Sequence, residues 1–263
     1  MQSGFTFDPP ASGRNPYGHY VSPPVPIAVV TSRDGLNGGV LYACENAGQQ
    51  AVQLPPSAQF TILPSPGADQ RDVLVISGAS GSGKSWVAKS FAEEYKNMWP
   101  PRKVYVVSAL KRDKTLDSLP GLLRINIETL VSDPFERGEE LRGFKNALVI
   151  FDDCEALDTA SKRAVMQLQD ALLTMGRHSN TSVIVCNHLS TRGKETRQML
   201  NEATRFVIFP SGMGYHQLRY LLTHHVGIEP KDLPDIKSIH SRWVCLSRST
   251  PRYLLASSEA RML

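Results

Sequence analysis

Five stretches of this chain read as strands, and four of them hold at least four consecutive apolar residues, where a half-exposed strand would be apolar only at every second residue. They are VLVIS (73–77), KVYVVSA (103–109), LRINI (123–127), NALVIFDD (146–153) and TSVIVCNH (181–188). Strands of this kind are buried on both faces, which requires helices above and below the sheet. Helical spacing occurs between several of them. Ser85 to Trp99 sets Val87, Ala88, Phe91, Ala92 and Tyr95 on one face, and Ser161 to Met175 does the same with Ala164, Val165, Leu168, Leu172 and Met175. The alternation predicts crossover units and an α/β fold with a mostly parallel central sheet flanked by helices. RFVIFP (205–210) and SRWVCLSR (241–248) predict further strands, and YHQLRYLLTHHVG (215–227) a helix.

The chain ahead of this region has another texture. PIAVVTS (26–32), GVLYACE (39–45), QAVQL (50–54) and QFTIL (59–63) are short and separated by Gly-, Asn- and Pro-rich turns, a hairpin pattern. Before them, Pro9, Pro10, Pro16, Pro23 and Pro24 lie among Gly and Ser in a composition too poor in apolar residues to build a core. The expected organisation is a flexible arm over 1–25, a small β-rich segment over 26–70 and an α/β domain over 71–263.

Composition sets outer bounds. A hydrophobic content of 41% in 263 residues supports a soluble globular core, and a net charge of +4 permits contact with nucleic acid without demanding it. Cys44, Cys154, Cys186 and Cys245 have no metal-ligand spacing and predict free thiols in a reducing compartment. No apolar run is long enough to span a bilayer, and the first residues lack the pattern of a secretory leader.

The first apolar run leads into GASGSGKSW (78–86). Gly78, Gly83, Lys84 and Ser85 match G-x-x-x-x-G-K-[ST] in the strand–loop–helix setting that the motif needs. A polyphosphate can be ringed by backbone N–H groups only where side chains stay small, which explains Gly78, Ala79, Ser80, Gly81, Ser82 and Gly83. The following helix start, through Trp86, adds the positive end of its dipole. Lys84 is placed to reach the outer phosphates of ATP, and Ser85 to ligate Mg²⁺.

A carboxylate is then required. NALVIFDDCEAL (146–157) supplies Asp152 at the end of a buried strand as the partner of the Mg²⁺ site, with Asp153 to polarise the attacking water and Glu155 as the rival base. Asn187, ending another buried strand, is a candidate to hydrogen-bond the γ-phosphate and water, and His188 competes for that role. Arg177, exposed after a helix, could reach a neighbouring subunit's nucleotide; Arg163 is the weaker candidate.

The order of these pieces, with GRHSNTSVIVCNH (176–188) and TRQMLNEATRFVIFP (196–210), resembles the FtsK–HerA superfamily of DNA-pumping ATPases. Within it the likeness is to the poxvirus-type genome-packaging ATPases of large double-stranded DNA viruses. The resemblance implies a P-loop NTPase fold with ATP and Mg²⁺ at Gly78 to Ser85 and Asp152, a catalytic acid at Asp153, a polar sensor at Asn187 and a trans-acting arginine at Arg177. Many members carry Glu and Gln where this chain has Asp153 and Asn187. It further implies a homo-oligomeric ring, pentameric or hexameric, that moves duplex DNA without sequence preference into a capsid through a capsid or portal component. The host cytoplasm, in a viral factory, or the virion would be its location.

Such a motor needs cations on loops facing the DNA backbone. Arg192, Lys194 and Arg197 after the sensor strand are the preferred set, and Lys111, Arg112 and Lys114 the alternative. Two other readings compete: a P-loop kinase of a small metabolite, and a nucleotide-gated virion assembly protein.

Overall fold

The computed structural model describes residues 3–8, 13–14, 20–21, 23–32, 38–45, 48–67, 70–133, 140–188 and 194–263. Near the N-terminus lie β1 (Gly4–Thr6), β2 (Gly13–Arg14), β3 (Tyr20–Val21), β4 (Val25–Ser32), β5 (Gly38–Cys44), β6 (Ala51–Gln53) and β7 (Ala58–Ile62). Strands β1, β5, β4 and β7 form an antiparallel sheet in that order, and β2 pairs with β3. Part of the expected arm is therefore strand. Phe5 explains it: the ring is buried at 1% exposure in the same core as Ile27 and Leu41, an anchor that composition averages hid among prolines.

The second layer of structure is a ten-stranded sheet. It is built from β8 (Val73–Ser77), β9 (Val104–Ser108), β10 (Leu122–Arg124), β11 (Leu148–Asp152), β12 (Ser182–Asn187), β13 (Arg205–Ile208), β14 (Val244–Ser247), β15 (Tyr253–Ala256) and β16 (Glu259–Met262), joined at the far edge by β6. The order is β10-β9-β11-β12-β8-β13-β14-β15-β16-β6. From β10 to β13 all neighbours are parallel, and from β13 to β6 all are antiparallel. The mostly parallel α/β sheet expected from the apolar runs is the one found. Because β6 pairs with β16, the N-terminal β-rich segment contributes a strand to the large sheet.

Helix α1 (Lys84–Met98) buries Val87, Ala88, Phe91, Ala92 and Tyr95, the face its spacing predicts. The short α2 (Ile127–Ser132) starts where the LRINI run was expected to stay extended. Asn126 accepts a hydrogen bond from the Glu128 N–H and so caps a helix where a strand would have continued. Helix α3 (Thr159–Met175) is capped by Asp158, which accepts from the Ala160 and Ser161 N–H groups. Helices α4 (Lys194–Glu202), α5 (Tyr215–Tyr220) and α6 (Leu233–Ser238) complete the set, and a π-helical turn over Leu221–Val226 continues α5.

Alternate residues of each central strand face opposite cores. Leu74, Ile76, Ile150, Ile184 and Cys186 pack on the α1 side. Val73, Val75, Phe151, Val183 and Val185 pack on the side of α3 and α4. A buried ion pair ties the layers together: Arg205 on β13 bonds Asp72, just before β8, and donates to the Leu63 carbonyl at 2.6 Å. Asp72 also accepts from the Ser65 N–H and hydroxyl, each at 2.8 Å.

Candidate active site

The loop between β8 and α1 needs its glycines. Gly83, the residue before α1, has φ 113°, and a Cβ on Gly78 would stand 2.7 Å from both Phe209 and the Ser82 hydroxyl. The loop closes on itself through Ser82 N–H to Ala79 O at 3.2 Å and is tied to β12 through Gly78 N–H to Asn187 O at 3.1 Å. Ala79, Ser80 and Gly81 are exposed at its rim, as is Trp86 on the first turn of α1.

Lys84 is buried, with Nζ donating to the Gly78 and Ala79 carbonyls at 3.1 and 3.2 Å. Its neighbour Ser85 donates from Oγ to Asp152 Oδ2 at 3.2 Å. Asp152 ends β11 on the α1 side of the sheet and is fully buried; its Oδ1 has no hydrogen-bond partner. Burial, and then the charge of Asp153, push the Asp152 carboxyl above the ordinary carboxylate range, and the Cys186 thiol and then the Ser85 hydroxyl oppose them. A hydroxyl and a carboxylate with an orphaned oxygen are hard-cation donors, so Ser85 and Asp152 fit Mg²⁺.

Asp153 leaves the strand with φ 51°, the left-handed region that Asp tolerates better than most residues. That turn carries its carboxylate to His188, whose Nε2 lies 3.0 Å from Asp153 Oδ1. On the other side of the ring, His188 Nδ1 is 3.4 Å from Lys84 Nζ. The His188 N–H donates to Glu155 Oε1 at 3.3 Å. Lys84, His188, Asp153 and Glu155 therefore form one connected group beside the phosphate loop.

Asn187 does not join that group through its side chain. Its Nδ2 donates to Met199 Sδ on α4 at 3.0 Å. The reason is strand parity: Val183, Val185 and Asn187 face α3 and α4, whereas Ile184, Cys186 and then His188 face α1. That two-residue count was available in VIVCNH and favours His188 over Asn187 as the residue nearest Lys84.

The two arginine candidates lie at opposite ends. Arg163 is exposed on the first turns of α3, near the carboxyl ends of the strands. Arg177 is exposed beyond the other end of α3 and lines a cleft with Arg71, Asp72, Glu202 and Arg205 at the amino ends of the strands. It is thus remote from its own phosphate loop. Lys111, Arg112 and Lys114 are exposed just after β9, and Arg197 is exposed on α4. Arg192 lies outside the described residues, and Lys194 opens α4. Sequence reasoning missed Arg242, which donates from Nη2 to the Gly81 carbonyl at 3.0 Å.

No protein-family model matches the chain. A relative does: over 211 residues the chain is 34% identical to the uncharacterized protein V3 of Sputnik virophage, covering 79% of this chain and 83% of V3. The chain belongs to the V3 family. Among solved structures it is similar to the cytoplasmic domain of the type VII secretion ATPase EccC of Thermomonospora curvata, with a TM-score of 0.50 at 13% identity, covering 95% of this chain and 29% of that one. It is also similar to the genome packaging NTPase B204 of Sulfolobus turreted icosahedral virus 2, with a TM-score of 0.48 at 12% identity, over 73% of this chain and 98% of that one. At these identities the likeness concerns the fold, and the fold that this V3-family chain shares with EccC is the one the sequence resemblance implied. Among its described residues no helix is long and apolar enough to cross a membrane.

Proposed function

We propose that this V3-family protein is an ATP-hydrolysing DNA translocase of FtsK–HerA type that packages double-stranded viral DNA into a capsid. One observation carries the ATPase part: the Ser85 hydroxyl meets Asp152 at 3.2 Å beneath a phosphate loop that already holds Lys84. The loop N–H groups and Lys84 bind the triphosphate. Ser85 and Asp152 would hold Mg²⁺, which when bound would supply positive charge to offset that developing on the phosphate oxygens. Asp153 orients and polarises the attacking water, His188 holds Asp153 in place, and Glu155 braces the His188 backbone. A water acceptor suits this acid-rich site better than a metabolite hydroxyl. Arg177, too far from its own loop, acts on a neighbour's nucleotide in a ring. Cations after β9 and β12 grip the DNA backbone. The viral source of V3 supports the packaging setting, and the host cytoplasm or virion is the matching location.

The test is ATPase activity of the purified chain with Mg²⁺, with and without duplex DNA, beside its size in solution with and without ATP. We expect ring-sized assembly with ATP, turnover stimulated by DNA, and loss of turnover in Lys84→Ala. Replacing Arg192, Lys194 and Arg197 together should lower the DNA-stimulated rate more than the basal rate. Phosphate transfer to a metabolite, or binding with negligible turnover, would overturn the translocase reading.

A further inference from the structure

The phosphate loop has a second flank that the mechanism above does not use. Strand β12, with His188, lies on one side of β8, and β13 and β14 lie on the other. Because β14 runs antiparallel to β13, with Val244 opposite Ile208, it starts at the same sheet edge as the phosphate loop. The turn that feeds it therefore brings Ser241, Arg242 and Trp243 to the loop.

This turn is rigid. Trp243 is buried at 5% exposure in the α1-side core. The Ser241 hydroxyl donates to the Trp243 carbonyl at 2.6 Å and accepts from the Ser257 N–H at 3.0 Å. Between these two fixed residues Arg242 is exposed and reaches the loop. Its Nη2 bonds the Gly81 carbonyl, and its Nε and Cζ lie 3.5 Å from where a Cβ on Gly83 would stand. Among the described residues no carboxylate pairs with it.

We propose that Arg242 is a second cationic contact for the bound triphosphate, delivered from the antiparallel half of the sheet to the flank opposite His188. The inference rests on the nucleotide site proposed above. A guanidinium carries five donors and a permanent charge. One donor on Gly81 O holds the group against the loop, which leaves the others to meet phosphate oxygens as charge-assisted bonds. A residue serving only to brace Gly81 would need one N–H and no charge; Gln supplies the first without the second, and Lys supplies both.

The experiment compares the wild-type chain with Arg242→Ala, Arg242→Gln and Arg242→Lys by equilibrium binding of ATP with Mg²⁺, with KM and kcat alongside and thermal melts as a folding control. Losing the charge-assisted contact should weaken ATP binding by about 10-fold in the Ala and Gln variants. Lys should stay within about threefold of wild type, and KM should move more than kcat. Unchanged affinity in Ala, or Gln as tight as wild type, would overturn this inference and leave the nucleotide site standing. A wild-type chain that binds no ATP would overturn both. If the Ala variant fails to fold, the Gln and Lys pair decides the matter.

Discussion

Asp152 shows what the proposed nucleotide site costs a single residue. Its carboxyl is fully buried beside a second acid, with one oxygen lacking a donor. A neutral isostere removes that unfavourable charge. Asp152→Asn should therefore raise the stability of the nucleotide-free chain by on the order of 1 kcal/mol, or roughly 2–4 °C in a thermal melt at neutral pH, while abolishing ATP turnover. A lower melting temperature would show that the carboxylate serves the fold instead. At this scale the sequence was partly legible. Gly78 to Ser85 and the position of Asp152 followed from a motif and a strand end. The side chain nearest Lys84 followed only from counting strand parity past Cys186. Arg242 was invisible, because nothing local in SRWVC says that an antiparallel strand returns its turn to a loop so far back in sequence.

Among elements, the seam at the start of β8 is held by charge. Asp72 and Arg205 are both about 5% exposed or less, and together they bind Leu63 and Ser65 ahead of the sheet. Removing one partner strands the other in a dry site. Asp72→Ala should cost about 3–5 kcal/mol in denaturant unfolding, and adding Arg205→Met should recover much of that loss. The π-helical turn after α5 carries a different liability. Burial, then the Arg248 charge, then His224 hold His225 below its ordinary value of 6.5. The folded state thus prefers the neutral ring. Its contribution is present above pH 6.5 and is lost as pH falls through the lowered value. Melting temperature should fall over that acid range, and His225→Gln should flatten the fall; parallel curves would discount the residue. The π turn itself was not legible. YHQLRYLLTHHVG carries helical spacing throughout, and apolar spacing does not distinguish one helical hydrogen-bond register from the other.

For the whole molecule, the apolar runs made most of the parallel half of the sheet readable, since the burial of β8, β11 and β12 on both faces is written in composition, whereas the edge strand β10 is only partly buried. The antiparallel half was only half read. YLLA and EARM, which form β15 and β16, are short, follow Ser- and Pro-rich turns and resemble loop sequence. The position of Arg177 at the far edge from Lys84 belongs to this scale as well, because the role proposed for it requires a neighbouring subunit. Arg177→Ala should leave ATP affinity of the isolated chain within about twofold, yet reduce turnover of the assembly by about 10³-fold. Mixing it with a Lys84→Ala chain should restore part of the rate if the two defects fall in different subunits. No recovery in mixed assemblies would place the arginine outside the catalytic step.

The pairing of β6 with β16 sets Ala51 opposite Arg261. During synthesis the first of these leaves the ribosome long before the second exists. The early hairpins must wait, with one strand unmated, until nearly the entire ten-stranded sheet has been made. Completion of that edge is thus a late event, and a nascent chain halted before Glu259 should be open to proteolysis around Ala51 although its phosphate loop is already complete.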